Sequence, residues 1–192
     1  GHLVLFRDTN EDGGPDEVVT FCDELTDVQG ILPLGQQVLA VGNGPDGGGL
    51  YTLRDTNHDG AADDVRALLT FRGSTGEYGP HAVRLGRGGF LYLMLGNQTQ
   101  IDVEAATEGP YTVAYEGDLV RPRYEDPHGH AAGAAAPGGT VIRTDVGGTF
   151  VQIFAGGLRN ARDFAFLPSG ESLRNSSLTV LVPACITEVI NH

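Results

Sequence analysis

The chain has 192 residues, 40% of them hydrophobic, with 29 glycines and 10 prolines; that is enough apolar material for a packed core and too much for a disordered polymer. The 25 acidic residues outweigh 12 basic ones and leave a formal charge of −13, which excludes the basic patch that nucleic acid or an anionic membrane surface requires. No stretch is long and apolar enough to span a bilayer as a helix.

Short apolar runs separated by Gly, Pro, Asn and Asp predict an all-β chain. The one helix-friendly stretch, Ala-rich over 131–136, contains Gly133 and is followed by Pro137. The first expected strands are 3–7 and 17–21. They flank a segment, Leu5-Phe6-Arg7-Asp8-Thr9-Asn10-Glu11-Asp12-Gly13, that returns as Thr52-Leu53-Arg54-Asp55-Thr56-Asn57-His58-Asp59-Gly60, an offset of 47 residues (55 − 8). An apolar β-like run follows each copy, at 17–21 and 65–71. A period in the forties with several short strands per unit predicts a β-propeller.

In that register, 3–7 and 17–21 are the last two strands of one blade. Residues 30–34, 37–42, 49–54 and 64–71 supply a whole second blade. Residues 82–85 and 90–95 open a third, 140–143 and 149–154 complete it, and 163–167 start a fourth. The expected organisation is a partial propeller over 1–170, with a Gly/Pro-rich insertion at 97–137 of a length usually tied to function. The tail, 171–192, turns to Ser, Asn and a continuous apolar run at 178–182 and shows no blade pattern. About three blades fall short of the roughly four that closure needs, so the pattern predicts an incomplete propeller. The lack of an initiator Met and of a signal-peptide pattern fits a processed or excised segment. Cys22 and Cys185 form no CxxC and match neither a zinc site nor a disulfide framework; whether they pair stays open.

The repeated segment extends to nine positions: Asp8, Asn10, Asp12, Gly13 and Asp16 in one copy, Asp55, Asn57, Asp59, Gly60 and Asp63 in the other. Oxygen-bearing side chains at positions 1, 3 and 5 can converge on a hard cation, Gly at 6 permits the tight turn, a carbonyl can serve at 7, and Asp at 9 completes the cage. An EF-hand is excluded, because position 12 is Val19 or Arg66 and the flanks read as strands. The pattern resembles the calcium hairpins of integrin-type propellers. Such residues also favour plain turns without metal; their recurrence at one place in a repeat favours calcium. Affinity suited to millimolar calcium points to a periplasmic or extracellular protein.

Two segments precede the first strand of a predicted blade: Gly79-Pro80-His81-Ala82-Val83-Arg84-Leu85-Gly86, and Gly156-Gly157-Leu158-Arg159-Asn160-Ala161-Arg162-Asp163-Phe164-Ala165-Phe166. His81 and Arg159 would then face one pocket, His81 as a general base and Arg159 as a cation for a carboxylate or oxyanion. The plain alternatives are a turn histidine and an arginine tied to a neighbouring carboxylate. His128 and His130 in the insertion read as a solvated pair, with metal ligation the less favoured alternative.

The Gly-Leu-Arg-Asn-x-x-Asp-Phe-Ala-Phe-x-Pro-x-Gly segment and the His81 segment resemble the glucose/sorbosone dehydrogenases, soluble propellers that use pyrroloquinoline quinone (PQQ). The Arg-Asp-Thr-Asn-x-Asp-Gly repeat, with Gly129-His130-Ala131-Ala132-Gly133 and Ala136-Pro137-Gly138-Gly139, resembles that family's large bacterial branch of membrane-bound dehydrogenases, often fused to a c-type cytochrome. The resemblance covers about residues 1–170. It implies a six-bladed propeller, His81 as catalytic base toward a sugar or alcohol hydroxyl, Arg159 and Asn160 as PQQ contacts, and a c-type cytochrome as a possible electron acceptor. Asn97 stands where soluble glucose dehydrogenases carry an Asp, so that polar contact lacks its charge. The segment for the cofactor-associated calcium would follow Gly170, where the resemblance stops, and no Cys-x-x-Cys-His haem motif is present. The competing expectation is a non-catalytic, calcium-stabilised propeller that binds a carbohydrate or protein partner.

Overall fold

In the computed structural model, the residues described are 2–73, 75–100, 139–158 and 160–166. They form an all-β structure of several antiparallel sheets, none of them closed. Strands β1 (Leu3–Arg7) and β2 (Glu17–Cys22) form a two-stranded sheet. Strands β3 (Thr26–Leu34), β4 (Gln37–Gly44), β5 (Gly47–Arg54) and β6 (Asp64–Thr70) form a four-stranded meander. Strands β7 (Arg72–Gly73) and β10 (Thr99–Gln100) make a short two-stranded pair. Strands β8 (Pro80–Leu85), β9 (Leu91–Leu95), β11 (Gly139–Thr144) and β12 (Gln152–Leu158) form the second four-stranded sheet, in the order β12-β11-β9-β8.

The two meanders use the strand sets expected from the sequence, most strands running a few residues longer and β12 starting three residues later than expected. One expectation fails. Residues 163–166 are not a strand; they lie as an irregular segment on the second four-stranded sheet. Their apolar side chains are used for packing, since Ala161 and Phe164 are buried with Ala82, Tyr92, Met94 and Val141. Of the predicted insertion at 97–137, residues 99–100 belong to β10, and 101–137 lie outside the described residues, as does the tail 171–192.

The sheets stack because their strands are apolar on both faces. In β4, Leu39 and Val41 face one core and Ala40 the other. In β9, Leu91, Leu93 and Leu95 enter the first of these cores while Tyr92 and Met94 enter a third. This period of 2 is the pleat of a strand buried on both sides. One core therefore joins the two meanders, through Leu39, Val41, Leu50, Val83, Leu93 and Ile142. A second joins the β3–β6 sheet to the β1–β2 sheet, through Leu3, Cys22, Leu25, Tyr51 and Leu53. Tyr51 also donates its hydroxyl to the Gly47 carbonyl at 2.6 Å, which satisfies the polar tip of a buried ring and pins the β4–β5 turn. The other face of the β1–β2 sheet is bare: Val4 is 46% exposed, and Phe6 and Val18 are each 61% exposed.

No helix among the described residues is long and apolar enough to cross a membrane. Cys22 is a buried free thiol, and Cys185 lies outside the described residues.

Candidate functional site

The Asp segments are the hairpins between the last two strands of their sheets: residues 8–16 join β1 to β2, and 55–63 join β5 to β6. Their two conformations are nearly the same. Position 4 is left-handed in both, with φ 60 at Glu11 and φ 63 at His58, and the glycine at position 6 has φ 90 at Gly13 and φ 97 at Gly60. The N–H of Gly13 donates to Asp8 Oδ2 at 2.8 Å, and that of Gly60 to Asp55 Oδ2 at 2.8 Å. Position 5 N–H groups donate to the Asn at position 3, at 2.9 Å for Asp12 to Asn10 and 3.1 Å for Asp59 to Asn57. Backbone donors thus hold the side chains of positions 1, 3 and 5 to one loop.

The ninth-position carboxylates accept from the threonine at position 2 of each loop. Asp16 accepts the Thr9 hydroxyl at 2.7 Å and the Thr9 N–H at 3.1 Å; Asp63 accepts those of Thr56 at 2.7 Å and 2.9 Å. These bonds, the threonine hydroxyl foremost, hold both carboxyls below the usual Asp value of 3.8. Among the described residues, no three His, Cys, Asp or Glu side chains gather as a metal cluster. The same Asp–Thr clip recurs in the β11–β12 hairpin, which lacks the Asp repeat: Thr149 donates its hydroxyl to Asp145 at 2.6 Å and its N–H at 2.7 Å. A cleft of about 600 Å³ opens between the β3–β4 turn and the second Asp hairpin, and its lining includes Gln36, Gln37, Arg54, Asp55, Thr56 and His58.

His81 is the second residue of β8 and is only 1% exposed. Pro80 pairs with Leu95, Leu95 with Thr140, and Gly139 with Leu158, which places His81 at the end of its sheet opposite the β11–β12 hairpin. The Asp hairpin of the β3–β6 sheet, where Arg54 pairs with Asp64, likewise lies at the end opposite the Gly44–Gly47 turn. In each meander the hairpin of the last two strands is therefore remote from the start of the first strand.

Two parallel ties bind β8 to the segment after β12. His81 Nε2 and Asn160 Oδ1 are hydrogen-bonded at 2.7 Å, and Arg84 forms an ion pair with Asp163. Asn160 also donates its amide N–H to the Glu77 carbonyl at 2.9 Å, and Arg162 reaches the Glu77 carboxylate at 3.4 Å. Burial pushes the His81 imidazole below its ordinary value of 6.5. The Asn160 bond and the Glu77 charge act upward and the Arg162 charge downward. The Gly96 N–H donates to the Gly79 carbonyl at 2.8 Å, which ties the end of β9 to the turn before β8. Two buried polar atoms, His81 Nδ1 and Asn97 Oδ1, have no hydrogen-bond partner among the described residues.

Of the residues expected at this site, His81 and Asn160 meet directly, while Asn97 follows the Gly96 that is tied to the turn before β8. Arg159, His128 and His130 lie outside the described residues. Glu77 and Arg162 carried no signal in the sequence, because a Gly-rich turn and an open position of the Gly-Leu-Arg-Asn-x-x-Asp motif say nothing of long-range contact. For a hydroxylated ligand the orphaned acceptors fit, since each requires a donor. The Asn160 amide spends one oxygen lone pair on His81 and one N–H on Glu77, which leaves one lone pair and one N–H for a further contact.

No curated protein matches the chain, and no solved structure matches it. Residues 1–145 match the model of the domain of unknown function DUF7133, and the chain belongs to that family.

Proposed function

We propose that the stacked sheets are blades of a calcium-stabilised β-propeller whose His81 end oxidises a sugar or alcohol hydroxyl, with PQQ as the electron-accepting cofactor. The observation that carries this reading is a buried imidazole, held below its ordinary pKa, with an unpartnered ring nitrogen at the start of β8. A neutral imidazole is the form able to take a hydroxyl proton. PQQ, when bound, would supply the two-electron acceptor that the hydride of the same carbon requires. His81 receives the hydroxyl proton, and Asn97 Oδ1 is a second acceptor for a neighbouring hydroxyl. Arg159 is assigned to the cofactor by the family resemblance alone. A c-type cytochrome as onward acceptor and a periplasmic or extracellular location belong to the same reading.

The Asp hairpins lie at the other end of their strands, so calcium there stabilises the blades and takes no part in the oxidation. Removal of a general base typically costs about 10²–10⁴-fold in rate. In the full-length protein, PQQ plus calcium should alter the absorbance and support dye reduction with sugars or alcohols. His81→Ala should lower turnover by about that factor while leaving PQQ binding nearly intact. Full-length protein that binds no PQQ sinks the reading.

A second reading, a non-catalytic propeller that binds a carbohydrate or protein partner, is favoured by the 1% exposure of His81, which leaves its ring little surface to offer a substrate. Carbohydrate or protein binding without dye reduction would establish it.

A further inference from the structure

We infer that Asn160 is a positioning residue that holds His81 as its Nε2–H tautomer, so that Nδ1 is the ring's proton acceptor; this rests on the reading of His81 as the general base. A primary amide carries donors on its nitrogen and only acceptor lone pairs on its oxygen. The Asn160 nitrogen stands 2.9 Å from the Glu77 carbonyl oxygen, which can only accept. Turning the amide over would set two oxygens against each other there, so its oxygen must face His81.

That oxygen lies 2.7 Å from Nε2 and cannot donate, so the proton of the bond resides on Nε2. A neutral imidazole has one N–H, and the remaining lone pair therefore sits on Nδ1. Nδ1 is the ring nitrogen that is buried without a partner among the described residues. The charged groups acting on the ring are Glu77 and Arg162, of opposite sign and themselves 3.4 Å apart, so neither alone sets its protonation. The same contacts explain why the segment 160–166 is clamped on β8: Ala161 and Phe164 are buried beneath it, and Asp163 is paired with Arg84.

The test is long-range ¹H–¹⁵N correlation of the histidine rings in the 192-residue chain, with His81 assigned through backbone connectivity. The expected result is a single neutral tautomer with the proton on Nε2 and a bare Nδ1. Asn160→Asp replaces the amide by a carboxylate facing the same ring nitrogen, which should raise the His81 titration midpoint by about one unit or more. In the full-length protein, the acidic limb of the kcat/KM profile should move the same way. Asn160→Leu should leave a mixture of both tautomers. A wild-type ring protonated on Nδ1, or an Asn160→Asp variant that titrates where the wild type does, overturns the assignment. If the Nε2–H tautomer and the Asn160→Asp shift are found while the full-length protein binds no PQQ and oxidises no hydroxyl compound, Asn160 keeps its positioning role and the dehydrogenase reading alone falls.

Discussion

Gly30 in β3 lies directly against the carbonyl of His81 in β8: a Cβ built on Gly30 would stand 2.3 Å from that oxygen and 3.1 Å from the Ala82 Cα. Both neighbours are backbone, so neither can turn aside as a flexible side chain would. The first strands of the two meanders therefore touch at the residue that carries the candidate chemistry, and only glycine permits the approach.

Gly30→Ala should accordingly destabilise the chain by about 1–3 kcal/mol, the usual cost of overpacking a filled interior. It should also shift the His81 ring resonances, since β8 must move to make room. Urea unfolding followed alongside those resonances measures both effects. A variant as stable as the wild type, with unchanged ring signals, would show that the strands are not in contact.

Calcium should raise the melting temperature, and a chelator should lower it. A ligand at 100 times its Kd adds about 2.7 kcal/mol per site through mass action. Asp12→Ala and Asp59→Ala should each remove about one bound ion by elemental analysis. Melts indifferent to calcium, with no ion found, would reduce the hairpins to turns held by their own hydrogen bonds.

Strong acid should loosen the hairpins. Asp16, Asp63 and Asp145 have folded pKa values held below the ordinary 3.8 by threonine donors. A depressed carboxyl contributes stability that is present above the unfolded value and is lost as pH falls through the folded one, so these contributions fade below about pH 4. Carboxyl titration by NMR should show Asp16 and Asp63 returning toward 3.8 in Thr9→Val and Thr56→Val respectively.

His81 predicts a separate and milder limb. Its folded pKa lies below the ordinary 6.5, so the unfolded chain binds a proton first as pH falls. Stability should decline from about pH 6.5 downward and level off once the folded ring also titrates. His81→Gln should remove that limb from the pH dependence of unfolding; an unaltered profile would show that the ring is not desolvated.

The bare face of the β1–β2 sheet should make the isolated chain self-associate. An isolated two-stranded sheet is marginal on its own, and Val4, Phe6 and Val18 leave one side of this one apolar and open to solvent. Phe6→Lys with Val18→Thr should shift the concentration-dependent elution of the chain toward monomer. Elution that does not depend on these substitutions would place the association elsewhere.

Much of the architecture could be read from the residues alone. The 47-residue offset (55 − 8), the Gly and Asp turn signals and the two-sided apolar runs mark both meanders, because a buried strand and a tight hairpin are local demands met by local residue choices. The hairpin conformation was legible for the same reason: Asn10, Asp12 and Gly13 bond within their own loop. Long-range relationships left no such mark. That residues 163–166 lie on β8 instead of forming a strand follows from Phe164 finding a cavity beside Tyr92 and Met94. That Asn160 turns to His81 and Glu77 depends on contacts 79 and 83 residues apart. The sequence determined which residues make strands and turns; only the packed structure decided which side chains meet, since burial and hydrogen-bond geometry exist only once separate strands have been brought together.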